Sequence, residues 1–169
     1  MKYLLLIAIL ILASGLSAFA DGDTVQVSGA AVIHEARTYM DSPEGTRYHL
    51  LLAPKTMLDS LGISIDNGAK VSVTGRLKAR QILVSQIKIS EESYDLRDAS
   101  GKDLYPHHSD RKVDPDTCIS CWLCIRNCPV GALSRRDGNA YIDPELCIEC
   151  GICSDGNGRF KGCPVEAIK

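Results

Sequence analysis

No cysteine precedes Cys118, so the first two-thirds of the chain can hold neither a disulfide nor a thiolate metal ligand. None of the cysteines beyond that point is followed by histidine, which excludes the C-x-x-C-H pattern of covalent haem attachment. There is no G-x-G-x-x-G and no recognisable catalytic constellation, and the chain reads as a non-enzyme. Charge of either sign is also lacking in excess. A formal net charge of -2 is too small to argue for a polyanionic partner such as nucleic acid.

What is present falls into segments. Residues 1–20, MKYLLLIAILILASGLSAFA, carry one charge at Lys2, an apolar run from Leu4 to Ala13, and Ala18-Phe19-Ala20 before Asp21-Gly22. This is the layout of a secretory signal peptide with cleavage expected after Ala20, which implies a periplasmic or other extracytoplasmic location. An uncleaved membrane anchor is the alternative. No cysteine lies near the cleavage point, so a lipid-modified N-terminus is not expected, and no arginine pair precedes the apolar run.

Residues 21–90 are rich in Val, Ile, Leu and Gly. TVQV, VSVTGRL and ILVSQIKI alternate as half-buried strands do. DSPEG, between Tyr39 and Tyr48, predicts a turn folding TYM against RYHLLLA. PKTMLDSLGI predicts a helix opened by Pro54 and stopped by Gly62. The order strand, strand, strand, helix, strand, strand, with Gly29 where a long first strand must bend, resembles an oligonucleotide/oligosaccharide-binding (OB) barrel. In such barrels ligands lie on strands two and three, which here offer His34, Arg37, Tyr39 and Tyr48. Residues 21–98 hold nine Lys/Arg against eleven Asp/Glu, which disfavours nucleic acid and leaves a protein partner or a structural role.

Residues 91–111 are expected to form a hairpin and linker: YDLRDASGKDLY turns at Ser100-Gly101, and the rest is polar. Adjacent His107 and His108 point in opposite directions on an extended chain, so they are read as linker residues and not as a chelating pair.

Residues 112–169 hold all eight cysteines. VDPDTCISCWLC and IDPELCIECGIC align at an offset of 29 residues, and each is followed by a Cys-Pro-Val at Cys128 or Cys163. The module is an internal repeat. Three cysteines spaced by two fit one tight loop and suit three corners of a cubane, with the fourth supplied from elsewhere. Eight cysteines then make two clusters with none left over. A disulfide framework explains neither the repeated spacing nor the paired Cys-Pro. Zinc leaves the third cysteine of each run unexplained.

These motifs resemble a bacterial-type ferredoxin with two [4Fe-4S] clusters, in which the fourth cysteine of each run serves the other cluster. The resemblance implies one cluster on Cys118, Cys121, Cys124 and Cys163, and a second on Cys147, Cys150, Cys153 and Cys128. The fold expected for the whole chain is α+β: a small all-β OB-like barrel, then a ferredoxin-like domain with a pseudo-twofold repeat. A short helix is expected after each Cys-Pro, at GAL and EAI. The second run departs from the pattern with nine residues, SDGNGRFKG, between Cys153 and Cys163. This reads as a turn-rich insertion beside the cluster of Cys118, Cys121, Cys124 and Cys163. Ile119, Leu123, Ile125, Val130, Leu133, Ile142, Ile148, Ile152, Val165 and Ile168 are expected to wall the clusters. Trp122 is expected to be a loop or packing residue, and Arg126, Arg135 and Arg136 form either a basic docking patch or a solvated face.

A cubane with four cysteine ligands has no open iron, so single-electron transfer to or from a redox partner protein is the expected function. A redox-sensing or structural adaptor is the alternative. Export poses a problem, since folded cluster proteins are expected to leave by the twin-arginine route and this leader has Lys2 alone.

Overall fold

The computed structural model describes residues 23–34 and 37–169; the leader reading lies outside them. Among the described residues no helix is long and apolar enough to cross a membrane. Five strands close a barrel: β1 (Asp23–His34), β2 (Arg37–Asp41), β3 (Arg47–Leu51), β4 (Lys70–Lys78) and β5 (Gln81–Ile89). Their order is β3-β2-β1-β4-β5, antiparallel throughout except that β3 closes on β5 in parallel, Leu50 opposite Ile82. The helix α1 (Lys55–Ser60) lies between β3 and β4, with Pro54 at its N-cap and Gly62 at φ +69° just beyond its end. The hairpin at DSPEG forms as expected, with Thr38 opposite Leu50 and Asp41 opposite Arg47.

One long strand serves two neighbours, and a glycine makes that possible. β1 pairs with β4 through residues 23–30 and with β2 through residues 30–34. At the changeover, a Cβ on Gly29 would lie 2.2 Å from the carbonyl oxygen of Asp41. Alternation puts Ala31, Met40, Leu50, Val71, Val73, Ile82, Val84 and Ile87 inside, all at most 3% exposed.

The barrel core continues past Ile89. β6 (Glu92–Asp95) adds to β5, Leu96 is fully buried, and the hairpin turns where expected, with Arg97 opposite Asp103. Arg97 is buried inside this hairpin. It donates to the carbonyls of Val84 (2.6 Å), Leu52 (2.7 Å) and Leu51 (3.3 Å), and pairs with Asp103 at 2.9 Å. These partners offset the cost of burying a guanidinium, although burial still pulls its pKa down.

The cysteine module is built on two similar loops. Asp114 and Asp143 open them alike: each side chain accepts the N–H two residues on, from Asp116 (3.1 Å) and Glu145 (2.9 Å). Each backbone carbonyl accepts the N–H of the first cysteine of its run, Cys118 or Cys147, at 3.0 Å. Left-handed residues then recur at matching positions: Ser120 and Trp122 in the first run, Glu149 and Gly151 in the second, and Gly131 and Glu166 after the two Cys-Pro pairs. Short helices α2 (Leu123–Asn127) and α3 (Ile152–Asp155) start directly after the second left-handed residue of each loop.

The helices expected at GAL and EAI do not form. Gly131 (φ +70°) and Glu166 (φ +53°) follow Pro-Val in left-handed geometry, which ends any helix before its first turn. Leu133 instead opens the strand β7 (Leu133–Arg136), which pairs with β8 (Asn139–Ile142) across an Asp137-Gly138 turn with both residues at positive φ, while Ile168 bridges Val113.

Candidate metal centres

The eight cysteines line two pockets, four to each. Cys118, Cys121, Cys124 and Cys163 face the first, together with Val113, Ile119, Trp122, Ala140, Pro164, Val165, Ala167 and Ile168. Cys128, Cys147, Cys150 and Cys153 face the second, with Arg111, Val130, Ala132, Leu133 and Ile148 among its other walls. In each pocket three cysteines come from one run and the fourth from the opposite run. The left-handed residues are the local cause: reversing the chain twice within seven residues lets three side chains spaced by two converge, where an extended strand would alternate them.

Burial sets the acidity of the thiols. It pushes Cys150 up to about 11 and Cys153 up to about 12, with the neighbouring thiols adding to the rise and Arg111 opposing it. Burial also raises Cys124. Such thiols are protonated at neutral pH until a metal displaces the proton. Backbone donors already address the sulfurs: the N–H of Ala167 lies 3.3 Å from Cys163 Sγ, and the N–H groups of Ile125 and Ile152 act on Cys124 and Cys150. Among the described residues no three His, Cys, Asp or Glu side chains form a site for a single metal ion. A cubane makes a different demand, taking one thiolate on each of its irons. Four thiols, apolar walls and N–H donors at sulfur fit such a group.

The apolar walls differ in exposure from the expected set. Leu133, Ile142, Ile148, Ile152 and Ile168 are buried, and Leu123, Ile125, Val130 and Val165 partly so, but Ile119 is 60% exposed at the mouth of the first pocket. Trp122 is half-buried and lies under Arg135, whose guanidinium carbon is 4.6 Å from its ring centroid. Arg126, Arg135 and Arg136 are exposed.

The barrel packs against the second pocket. Leu51 and Leu83 meet Ile148, Ile152, Val130, Cys150 and Phe160. Arg37 donates to the Gly151 carbonyl and to Asp155, both at 2.8 Å. Of the four barrel residues singled out as ligand candidates, Arg37 is therefore occupied by the cysteine module. Tyr39 stacks on buried His49, with centroids 5.0 Å apart, Tyr48 is half-buried, and His34 stands exposed. Burial, aided by Arg37, pushes His49 down to about 4.

The insertion between Cys153 and Cys163 is also drawn to the barrel. Asn157 accepts from the N–H groups of Arg159 and Phe160, and a Cβ on Gly156 or Gly162 would meet backbone at 2.0 Å. The loop thus closes tightly, bringing the Cys163 N–H to the Ser154 carbonyl at 3.1 Å. Its residues 155–159 border a groove with Arg37, Tyr39, Arg47 and His49 rather than the first pocket, because Phe160 joins the apolar seam under Leu51.

Sequence reasoning missed the stitching role of the linker. Ser109 is 2% exposed and donates to Glu149 at 2.9 Å; Arg111 donates to Ser154 Oγ at 3.0 Å, beside Cys153. Nothing in a short polar stretch marks such residues in advance, although Arg97 and Asp103 were findable as a pair across a predicted hairpin. Both ring nitrogens of His107 are buried without a hydrogen-bond partner, and His107 and His108 border a wide groove with Leu104, Pro129 and Leu146.

Neither curated proteins nor solved structures yield a match to this chain. Residues 111–134, which contain the first run of four cysteines, match the family model of the 4Fe-4S binding domain (Fer4), so the chain carries an iron-sulfur region of the kind typical of electron carriers beside a five-stranded barrel.

Proposed function

We propose that the chain is an exported electron-transfer protein holding two [4Fe-4S] clusters, one on Cys118, Cys121, Cys124 and Cys163 and the other on Cys128, Cys147, Cys150 and Cys153. The observation that carries this reading is the sorting of eight cysteines into two pockets of four, each completed by a cysteine from the opposite run. The matching left-handed positions support a ferredoxin-like pseudo-twofold module. The barrel order, with its parallel β3–β5 closure and a helix between β3 and β4, supports an OB-like fold.

When bound, such clusters supply reversible one-electron storage. The chain's own part is to hold the thiolates, exclude water with its apolar walls and direct N–H groups at sulfur. In this proposal the barrel is a mount: its β2 face, which in other OB-like barrels takes a ligand, carries the cysteine module through Arg37. Residues 1–20 would direct export to the periplasm or another extracytoplasmic compartment, or serve as an anchor if uncut.

A structural or redox-sensing adaptor is the second reading, and the composition of the module's core favours keeping it. Three of its eight buried core residues are cysteines, so the module depends on its cofactors to cohere. Anaerobic purification with iron and sulfide quantification and paramagnetic resonance after reduction tests the proposal. About eight iron per chain, with coupled signals that survive repeated reduction and reoxidation, is the expected result. Stable disulfides without iron would sink it, and clusters that decompose on reduction favour the adaptor.

A further inference from the structure

The barrel covers one cysteine pocket and leaves the other bare. The pocket of Cys118, Cys121, Cys124 and Cys163 has no barrel residue in its lining. At its mouth sit Ile119, 60% exposed, and Trp122.

Two arginines, Arg126 and Arg135, stand beside this mouth, and Arg136, the next residue of β7, lies on the other face of the β7–β8 hairpin. Arg135 lies over the Trp122 ring, Arg136 lies over Tyr141 with 3.6 Å to the ring centroid, and exposed Arg126 follows Trp122 by one turn on α2. None of the three forms an ion pair among the described residues. Between Thr117 and Ile142 the only acidic residue is Asp137. A guanidinium held over an aromatic ring keeps its edge donors free for carboxylates and loses less freedom on binding than a loose one. Exposed apolar residues within a charged rim have the anatomy of a protein interface, and rim charges set which partner arrives and how fast.

We infer that Ile119, Trp122, Arg126 and Arg135 form the docking surface for an acidic redox protein. The inference rests on the electron-transfer function proposed above and names its partner. One electron crosses the interface, the donor is oxidised by one electron as the acceptor is reduced by one, and no bond forms or breaks. The chain as a whole is nearly neutral, so the attraction is local to this face.

The test uses the full-length holoprotein, reduced anaerobically, with an acidic flavodoxin and basic cytochrome c as electron acceptors in stopped flow. Wild type is expected to reduce flavodoxin at a rate that falls as salt rises. The double variant Arg126→Glu, Arg135→Glu is expected to slow that reaction about tenfold while speeding cytochrome c reduction. The double replacement by lysine should retain most of the wild-type rate. Equal rates for wild type and the glutamate variant overturn the inference, as does a flavodoxin rate indifferent to salt in wild type, which settles the matter even if the double variant fails to hold iron. Sedimentation with anionic phospholipid vesicles, alongside a salt-independent protein rate, assigns the patch to a membrane surface and also overturns it. Failure of the underlying function is distinguished at the outset, because wild type would then contain no iron or would lose its clusters on reduction.

Discussion

Arg37, on the second strand of the barrel, donates from one nitrogen to both Asp155 and the carbonyl of Gly151, each at 2.8 Å, across more than a hundred residues of chain. Gly151 is the left-handed residue directly after Cys150 (φ +72°). The barrel therefore holds the cysteine loop by its backbone at the point where the loop reverses. Arg37→Gln is expected to lower the urea midpoint of the holoprotein by the equivalent of about 1 kcal/mol. Asp155→Asn should cost less, since that carboxylate is 61% exposed and solvent screens it. If the aspartate variant proves the more costly, the backbone contact is not what matters.

The crossed pocket assignment makes a prediction in iron counts. Replacing Cys121 and Cys163 by serine alters one pocket only and should leave about four iron per chain. Replacing Cys121 and Cys128 alters both pockets and should leave little or none, although the second pair lies within one run. Equal losses from the two double variants, measured under anaerobic reconstitution, would falsify the crossing.

Removing Arg111 should affect one cluster alone. Its side chain borders the second pocket and opposes the rise in pKa at Cys150 and Cys153, whereas it does not border the first. A cation favours the more negative, reduced state. Arg111→Gln is therefore expected to lower the potential of one signal in a paramagnetic-resonance redox titration; a shift common to both signals contradicts this.

Two glycines in the barrel should differ sharply. Gly29→Ala places a Cβ 2.2 Å from the Asp41 carbonyl, a backbone atom that cannot step aside, and is expected to cost about 3 kcal/mol. Gly45→Ala meets open space and pays only for its left-handed φ of +79°, about 1 kcal/mol. Thermal melts of the two variants, followed by circular dichroism, check the ranking.

His49 should make the fold acid-sensitive before any carboxylate does. Its folded value of about 4 lies below the ordinary 6.5, so between those pH values the unfolded chain binds the extra proton. Stability therefore rises with pH across that window and is lost as pH falls through it, by up to about 3 kcal/mol. Urea unfolding at pH 6.5 and 5 should show a steeper loss for wild type than for His49→Gln. Parallel losses in the two proteins assign the sensitivity to another group.

Much of the local structure was legible because it rests on short-range chemistry. The turn at DSPEG, the α1 helix between Pro54 and Gly62, and the alternation of β4 and β5 follow from residues within a few positions of one another. The expected helices at GAL and EAI failed because the left-handed turn at Gly131 and Glu166 is imposed by the loop's closure, and Glu166 carries no local signal for it. Arg135 over Trp122 carries no local signal, since that stacking requires β7 to lie beside α2.

The sequence by itself determined the inventory: eight cysteines in two repeated runs, a β-rich segment in front of them, and a formal net charge of -2. Only the tertiary structure decided how these meet. It sorted the cysteines into two pockets by crossing the runs, drew the insertion of residues 154–162 to the barrel, tied the linker residues Ser109 and Arg111 to Glu149 and Ser154 of the cysteine module, and left one pocket uncovered. The physical reason is range. Spacing along a chain dictates which side chains one turn can gather, whereas burial, ion pairing across a hundred residues and the choice of which face stays open follow from the packing of whole elements.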